Sequence, residues 1–414
     1  MNVVGLIVEY NPLHNGHMYH FRQAKKMTGA EAAVVVMSGN FLQRGEPALV
    51  SKWARAKMAL HMGADIVIEL PYVYATQHAQ AFAYGAVSLL NQLPFVTHLC
   101  FGSESGHIES FRRLAREFRD EPEDFRLNLK QKLKQGQSYP KAYGDTLQQW
   151  LVSRNLDPSL AEKPNNILGM YYMAALSKLK STIEPVTIKR KKAGYHDVHF
   201  ADQQLASATS IRQALFSTGE PDWSSVAPYV PPFTLDILKE EHEAGRGLMR
   251  WENYYAYIIY ALFTLSASDI QSMYEVDEGI EHRLKQKARE AQSVEHLCRL
   301  VKSKRYAWNR IQRMLVHTLT QFKKTDAQHL HLEQGAQYIR LLGFSTLGRQ
   351  LLNEHKKQLP IPLVSAITKN QHPMIEWDIK ASLIHTLGYK PDVQPTERKR
   401  EFTQDPLFSG NRSK

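Results

Sequence analysis

Cysteine is almost absent from this chain: Cys100 and Cys298 are the only two in 414 residues. They lie far apart and form no C-x-x-C pair, which excludes a disulfide framework and a thiolate zinc site. No apolar run approaches the ~20 residues that span a bilayer. The opening MNVVGLIVEYNPLHNGH lacks a basic leader and a small-residue cleavage site, so it is not read as a signal peptide. The expectation is a reduced, cytoplasmic protein with no membrane partner. Several nucleotide signatures are missing as well. There is no G-x-x-x-x-G-K-[ST], against a P-loop NTPase, and no G-x-G-x-x-G after the first strand, against a dinucleotide-binding oxidoreductase. The 18 histidines include no H-E-x-x-H, so no metal is expected from a protein motif. Hydrophobic residues at 43% and charged residues at 22% exclude a disordered chain. Lys and Arg outnumber Asp and Glu by 52 to 41, a formal +11 that permits a polyanionic partner without requiring one.

What is present has a clear order. Val3–Val8, Ala33–Met37, Asp65–Leu70, His98–Phe101 and Val186–Lys189 are short Val- and Ile-rich runs bounded by Gly, Asn or Pro, and read as buried strands. Helical patterns lie between them at Gly16–Met27, Ser51–Met62 and Ala79–Leu90. This alternation predicts an α/β fold with a Rossmann-like parallel sheet, whose ligands bind beyond the carboxyl ends of the strands. A Pro- and Ser-rich break at Ser217–Thr234 suggests a boundary. Beyond it strands largely disappear, and Leu248–Leu265, Ile280–Leu300 and Trp308–Phe322 carry helical spacing. The expected division is residues 1–220, a mainly α-helical domain at 225–390, and a loosely ordered polar tail at 391–414 containing TERKRE.

The most informative stretch is GLIVEYNPLHNGHMYH, Gly5–His20. A strand enters an Asn-Pro turn, and His14-Asn15-Gly16-His17 then opens a helix. A helix N-terminus presents unpaired N–H groups and a positive dipole end to an anion. Gly16 lets the backbone approach a nucleotide, and the imidazoles of His14 and His17 can donate to phosphate oxygens as charge develops. A second segment, SATSIR (Ser207–Arg212), is an ordinary Ser/Thr helix cap when read alone. Together the two motifs resemble the adenylyl-transferring branch of the H-I-G-H nucleotidyltransferase superfamily, whose second motif has the form Ser-Ser-Thr-x-Ile-Arg. Ala208 departs from that pattern by one hydroxyl. The Lys-Met-Ser-Lys-Ser loop of the H-I-G-H aminoacyl-tRNA synthetases is absent.

Further stretches narrow the resemblance. MSGNFLQRGEPALVSKWARAKMAL (Met37–Leu60), DIVIELP, FGSE, KPNNILG and IKRKKAGYHD occur in the order found in the bacterial tRNA(Met) cytidine acetate ligases, which this sequence closely resembles. The resemblance implies a two-step reaction: acetate and ATP give acetyl-adenylate and pyrophosphate, and the acetyl group passes to N4 of the wobble cytidine of elongator tRNA(Met). It implies ATP with Mg2+, acetate as co-substrate and the anticodon region of that tRNA as partner; no obligate protein partner is evident. Carried over by position, the ATP-binding loop comprises Ile7, Val8, Glu9, Tyr10, Asn11, Pro12, Leu13, His14, Asn15, Gly16, His17, Met18, Tyr19 and His20, joined by Gly102, Asn165 and Arg190. His14 and His17 are the catalytic pair. Ser207, Thr209 and Arg212 extend the nucleotide site from the wider superfamily. Arg44, Glu46, Lys52 and Arg55 sit in a distinctive segment with no role assigned. For RNA, the basic stretch Arg299–Lys324 offers Lys302, Lys304, Arg305, Arg310 and Arg313 interleaved with Tyr306 and Trp308. An adenylyltransferase that builds a small nucleotide cofactor and a non-catalytic RNA-binding protein remain as alternatives.

Overall fold

The structure, a computed structural model, describes residues 1–118, 121–137, 139–190, 206–217, 219–277, 279–368 and 372–410, with the side chains of 139 and 140 excepted. Within the IKRKKAGYHD stretch, residues 191–197 therefore lie outside the described residues, as do 411–414 of the polar tail. The five Val- and Ile-rich runs form the strands β1 (Val3–Val8), β2 (Ala32–Ser38), β3 (Ile66–Leu70), β4 (His98–Ser103) and β5 (Glu184–Lys189). They pair in parallel in the order β5-β4-β1-β2-β3. Side-chain alternation divides them between two cores. Val4, Leu6, Val8, Ala33, Val35 and Met37 pack on one face, under helices α1 (Asn15–Thr28) and α2 (Lys52–Met62). Val34, Val36, Ile66, Ile68 and Leu70 pack on the other, with the helix Ala79–Asn91. Because β1 pairs with β2 on one side and β4 on the other, chain order reverses beside β1. The crevice between the loops after β1 and β4 is thus the topological switch point where α/β sheets bind ligands.

The second half is mainly helical, as expected, with its own apolar cluster of Tyr254, Ile258, Leu262, Ile280, Leu284, Leu297 and Leu315. It differs from the sequence reading in four respects. Ile339–Ser345 forms a strand, β6, antiparallel to β3 with Glu69 opposite Arg340, and Leu363–Val364 (β7) and Leu407–Ser409 (β8) pair with it. The sheet therefore draws strands from both sides of the Ser217–Thr234 break. Ile280–Leu300 is two helices, Ile280–Ala288 and Val294–Val301, the second capped by Ser293. The helical spacing of Trp308–Phe322 places Ile311, Leu315, Thr318, Leu319 and Phe322 on one face, whereas the helix Trp308–Thr320 is buried from Ile311 through Thr318. The segment after 391 is ordered through a helix, Gln394–Thr403.

An ion pair explains that last difference. The Lys52 ammonium at the start of α2 is fully buried and lies 2.7 Å from Glu69 Oε2 and 2.9 Å from Glu401 Oε2. Desolvation opposes its charge, but Glu401 and Glu69 outweigh that and raise its pKa. Arg340 is buried beside the same pair, so Glu69 alone leaves one of two cations without a counterion, and the TERKRE helix delivers the second carboxylate. Lys52→Met should lower the unfolding free energy by ~3–5 kcal/mol, because it leaves two buried carboxylates uncompensated. Urea titration would check this, and Lys52→Met with Glu69→Gln and Glu401→Gln should recover most of the loss.

Candidate active site

The first turn of α1 is built around His14. Its backbone is extended (φ −137°, ψ 174°), and its Nδ1 accepts from the Gly16 N–H at 3.0 Å. The His14 N–H in turn donates to His17 Nδ1 at 3.2 Å, so the two imidazoles cap the helix reciprocally. Their ring centroids are 3.8 Å apart, and Tyr10 meets His17 edge-on at 4.9 Å. Gly16 is required here, since a Cβ would come within 2.8 Å of the His14 ring. With both Nδ1 atoms accepting, a neutral imidazole carries its proton on Nε2, the nitrogen left to meet a ligand. Burial, reinforced by Arg190, pulls His14 and His20 down to about 4. Burial, with His14, His20 and Arg190, holds His17 well below its ordinary value. Neutral imidazole donors crowded beside an arginine suit an anion.

The remaining loop residues frame this turn. Ile7 and Val8 end β1, and Tyr10, Asn11, Pro12 and Leu13 are buried beneath the turn, whose Asn11–Pro12 peptide is cis. Met18 and Tyr19 are half-buried on α1, and Asn15 Nδ2 donates to the Pro228 carbonyl at 3.0 Å. Across the crevice, the tertiary structure brings Gly102, Asn165 and Arg190 together. A Cβ on Gly102 would touch Arg190 Cγ at 3.3 Å, so the guanidinium stem lies over that glycine. Arg190 Nη1 reaches Asn165 Oδ1 at 3.4 Å, and Asn165 Nδ2 donates to Glu104 Oε1 at 2.6 Å. Glu104 also accepts from the Asn166 N–H at 2.9 Å, locking the FGSE loop onto the helix Pro164–Lys178. Glu104 had no role in the sequence reading; its place in the FGSE stretch was the signal.

The SATSIR segment joins the same site through its arginine. Ser207 caps the helix Ala208–Leu215 by accepting from the Ser210 N–H at 3.1 Å, and both Ser207 and Thr209 are exposed. Arg212 Nη1 donates to the Asn11 carbonyl at 2.8 Å, and Nη2 pairs with Glu46 Oε2 at 2.7 Å. Arg55 is wholly buried and donates to the carbonyls of Glu9 at 2.8 Å, Ser38 at 2.9 Å, Val50 at 3.2 Å and Gly39. Three of the four residues left without a role in the sequence thus become structural: Lys52 and Arg55 support the strand ends, and Glu46 orients Arg212.

The basic stretch is not one surface. Lys302, Lys304 and Arg305 lie exposed before the helix Trp308–Thr320, whereas Tyr306 is buried. Arg310 is partly covered, near Asp277 at 3.5 Å and over the Tyr306 ring. Arg313 is a correction. It is buried, and its Nε lies 2.9 Å from both oxygens of Glu275, so it serves the protein interior and not a phosphate. Cys100 and Cys298 are buried, and desolvation pushes each thiol up to about 12. Among the described residues no group of three or more His, Cys, Asp or Glu could hold a metal ion, and no helix is long and apolar enough to cross a membrane. The imidazoles carry a pH prediction. His20 titrates at about 4 when folded and at its ordinary 6.5 when unfolded. The unfolded chain therefore binds the extra proton between those values, and stability falls as pH drops from 6.5 through 4. His20→Gln should flatten that part of the pH–stability curve in denaturant titrations.

The sequence profile of the HIGH Nucleotidyl Transferase family matches residues 1–401. The chain is 42% identical over 409 residues to a tRNA(Met) cytidine acetate ligase of Geobacillus sp. (strain WCH70), covering 99% of this chain and 100% of that one. It is 44% identical over 410 residues to the protein of the same name from Bacillus velezensis, covering 98% and 97%. The crystal structure of Thermotoga maritima TmcAL bound with alpha-thio ATP superposes with a TM-score of 0.90 at 33% identity, covering 99% of this chain and 100% of that one. The H-x-G-H turn, the SATSIR helix and these full-length matches have one meaning: this chain belongs to the tRNA(Met) cytidine acetate ligases within the HIGH nucleotidyl transferases.

Proposed function

We propose that this chain activates acetate with ATP and transfers the acetyl group to N4 of the wobble cytidine of elongator tRNA(Met). The observation that carries the reading is the convergence of His14, His17, His20 and Arg190 at the N-terminus of α1, beside Gly102 and Asn165 at the switch point of the sheet. In the first step an acetate oxygen attacks the α-phosphorus and pyrophosphate departs. The Nε2–H groups of His14 and His17 and the positive dipole end of α1 hold the charge that builds on the phosphates. A Mg2+ ion would arrive on the phosphates and neutralise part of their charge; phosphate oxygens and water suit it. In the second step the cytidine N4 attacks the acetyl carbonyl and AMP leaves. Adenylation makes acetate a competent acyl donor, and the buried, protonated thiols of Cys100 and Cys298 offer no route through an acyl-enzyme.

Labelled acetate should enter tRNA(Met) only with ATP present, an outcome that neither a cofactor-making adenylyltransferase nor a non-catalytic RNA binder would give. His17→Ala should lower acetate-dependent ATP–pyrophosphate exchange about a hundredfold, the cost of removing one transition-state donor. Unaltered exchange in that variant would remove His17 from the chemistry.

The helical half is the natural grip for the anticodon region. Lys302, Lys304 and Arg305 stand exposed on it, Arg310 lies at its edge, and a wobble base has to be splayed from its loop to react. Lys304→Glu with Arg305→Glu should weaken tRNA binding and reduce its salt slope by up to about two units, one for each phosphate that these side chains neutralise. Filter binding at several salt concentrations would measure this, and an unchanged slope would place the tRNA elsewhere.

A further inference from the structure

Glu9 is an anomaly in a phosphate-binding loop. A carboxylate at the end of β1 repels the phosphates that His14 and His17 attract, so its purpose lies with another substrate. It reaches the β2 side, where Oε1 accepts from the Gln43 N–H at 2.9 Å in the loop after β2, and its charge also acts on Tyr172 of the helix Pro164–Lys178. Its second oxygen has no hydrogen-bond partner among the described residues. Arg55 grips the Glu9 carbonyl at 2.8 Å and fixes the strand end from which the side chain projects. The charges of Glu46, Arg44 and Arg212 all act on the carboxyl group. Arg44 is exposed, and the Arg212–Glu46 pair, bonded to the Asn11 carbonyl, lines the same side.

This constellation matches an aminopyrimidine. A carboxylate is the natural acceptor for a cytosine N4 amine, and guanidinium groups suit the ring acceptors and the attached phosphate. Resting on the reading above, we propose that the β2 side of the crevice seats the flipped cytosine, with Glu9 accepting the N4 amine and then its proton. The step balances within the substrates. The N4–C bond to the acetyl carbonyl forms, the bond from that carbon to the AMP oxygen breaks, AMP leaves with the electron pair, and the N4 proton passes to the free Glu9 oxygen and on to water. Burial, opposed in part by the Gln43 N–H, raises the pKa of this carboxyl, as a proton acceptor for such a step requires.

The test separates the two half-reactions of the full-length enzyme. Glu9→Gln keeps the acceptor for the Gln43 N–H, and thermal melting would verify that it folds. Single-turnover transfer from preformed acetyl-adenylate to tRNA(Met) should fall roughly a hundredfold or more relative to acetate-dependent ATP–pyrophosphate exchange. Wild-type transfer should decline as pH drops through the raised pKa of Glu9. That acid limb should vanish in Glu9→Gln and persist in Glu9→Asp. Equal losses in both half-reactions, or an acid limb surviving in Glu9→Gln, would overturn the assignment of Glu9 alone. A wild-type enzyme that performs exchange yet acetylates no tRNA would overturn the acceptor in the proposed function, and this inference with it.

Discussion

The guanidinium of Arg55 is the constraint on which the site depends. Wholly buried, it gathers the backbone carbonyls of Glu9, Ser38, Gly39 and Val50 into one cluster. Those carbonyls belong to the carboxyl ends of β1 and β2 and to the loops that follow. Parallel strands end in carbonyls that the sheet no longer satisfies, and a loop leaving them inside the protein must find donors. One planar cation supplies several at fixed angles, which an ammonium could not do. Burial pulls its pKa down to about 10, so it remains charged at neutral pH. With the strand ends held, the Asn-Pro turn and His14 have a fixed platform.

One turn earlier on α2, Lys52 performs a related task over a longer range. Its ammonium joins Glu69 of β3 to Glu401 near the end of the chain. Arg340 of β6 lies in the same interior and approaches the Glu401 carbonyl. Buried ion pairs contribute little net stability against an apolar core of equal volume, but they penalise wrong pairings heavily. Here the penalty specifies which C-terminal segment brings its carboxylate to Lys52, beside the β3–β6 pair. The loop after β2 is drawn into the same assembly: a Cβ on Gly45, at φ +74°, would fall 2.3 Å from the Arg313 backbone nitrogen. The loop beside the His14–His17 turn thus packs directly on the helix Trp308–Thr320.

The electrostatic logic is therefore layered. Carboxylates and carbonyls neutralise the cations below the strand ends, whereas the imidazoles and Arg190 lie above them with a chemistry that suits an anion. Neutral histidines clustered beside an arginine bind a polyphosphate without first having to be charged. Bound phosphate would raise their pKa values and strengthen donation as negative charge accumulates.

Much of this was legible in the sequence. The first five strands and the helices α1, α2 and Ala79–Asn91 lie within one or two residues of where the periodicity predicts them, because buried parallel strands read as unbroken Val and Ile runs. The H-x-G-H turn was equally local: an N-cap, a glycine and two imidazoles within four residues define their own geometry. The meeting of Gly102, Asn165 and Arg190, and of Arg212 with Asn11, required the fold, since each contact joins segments dozens to hundreds of residues apart. The strand Ile339–Ser345 was not read from the sequence, because a short apolar run has no period of its own, and pairing with β3 is what makes it a strand. TERKRE looked like solvated tail because nothing local shows that one of its glutamates faces a buried lysine 349 positions away. Arg313 was mistaken for a phosphate contact for the same reason: charge is a property of the sequence, but its counterion is chosen by tertiary packing, where desolvation decides which charges must be paired inside.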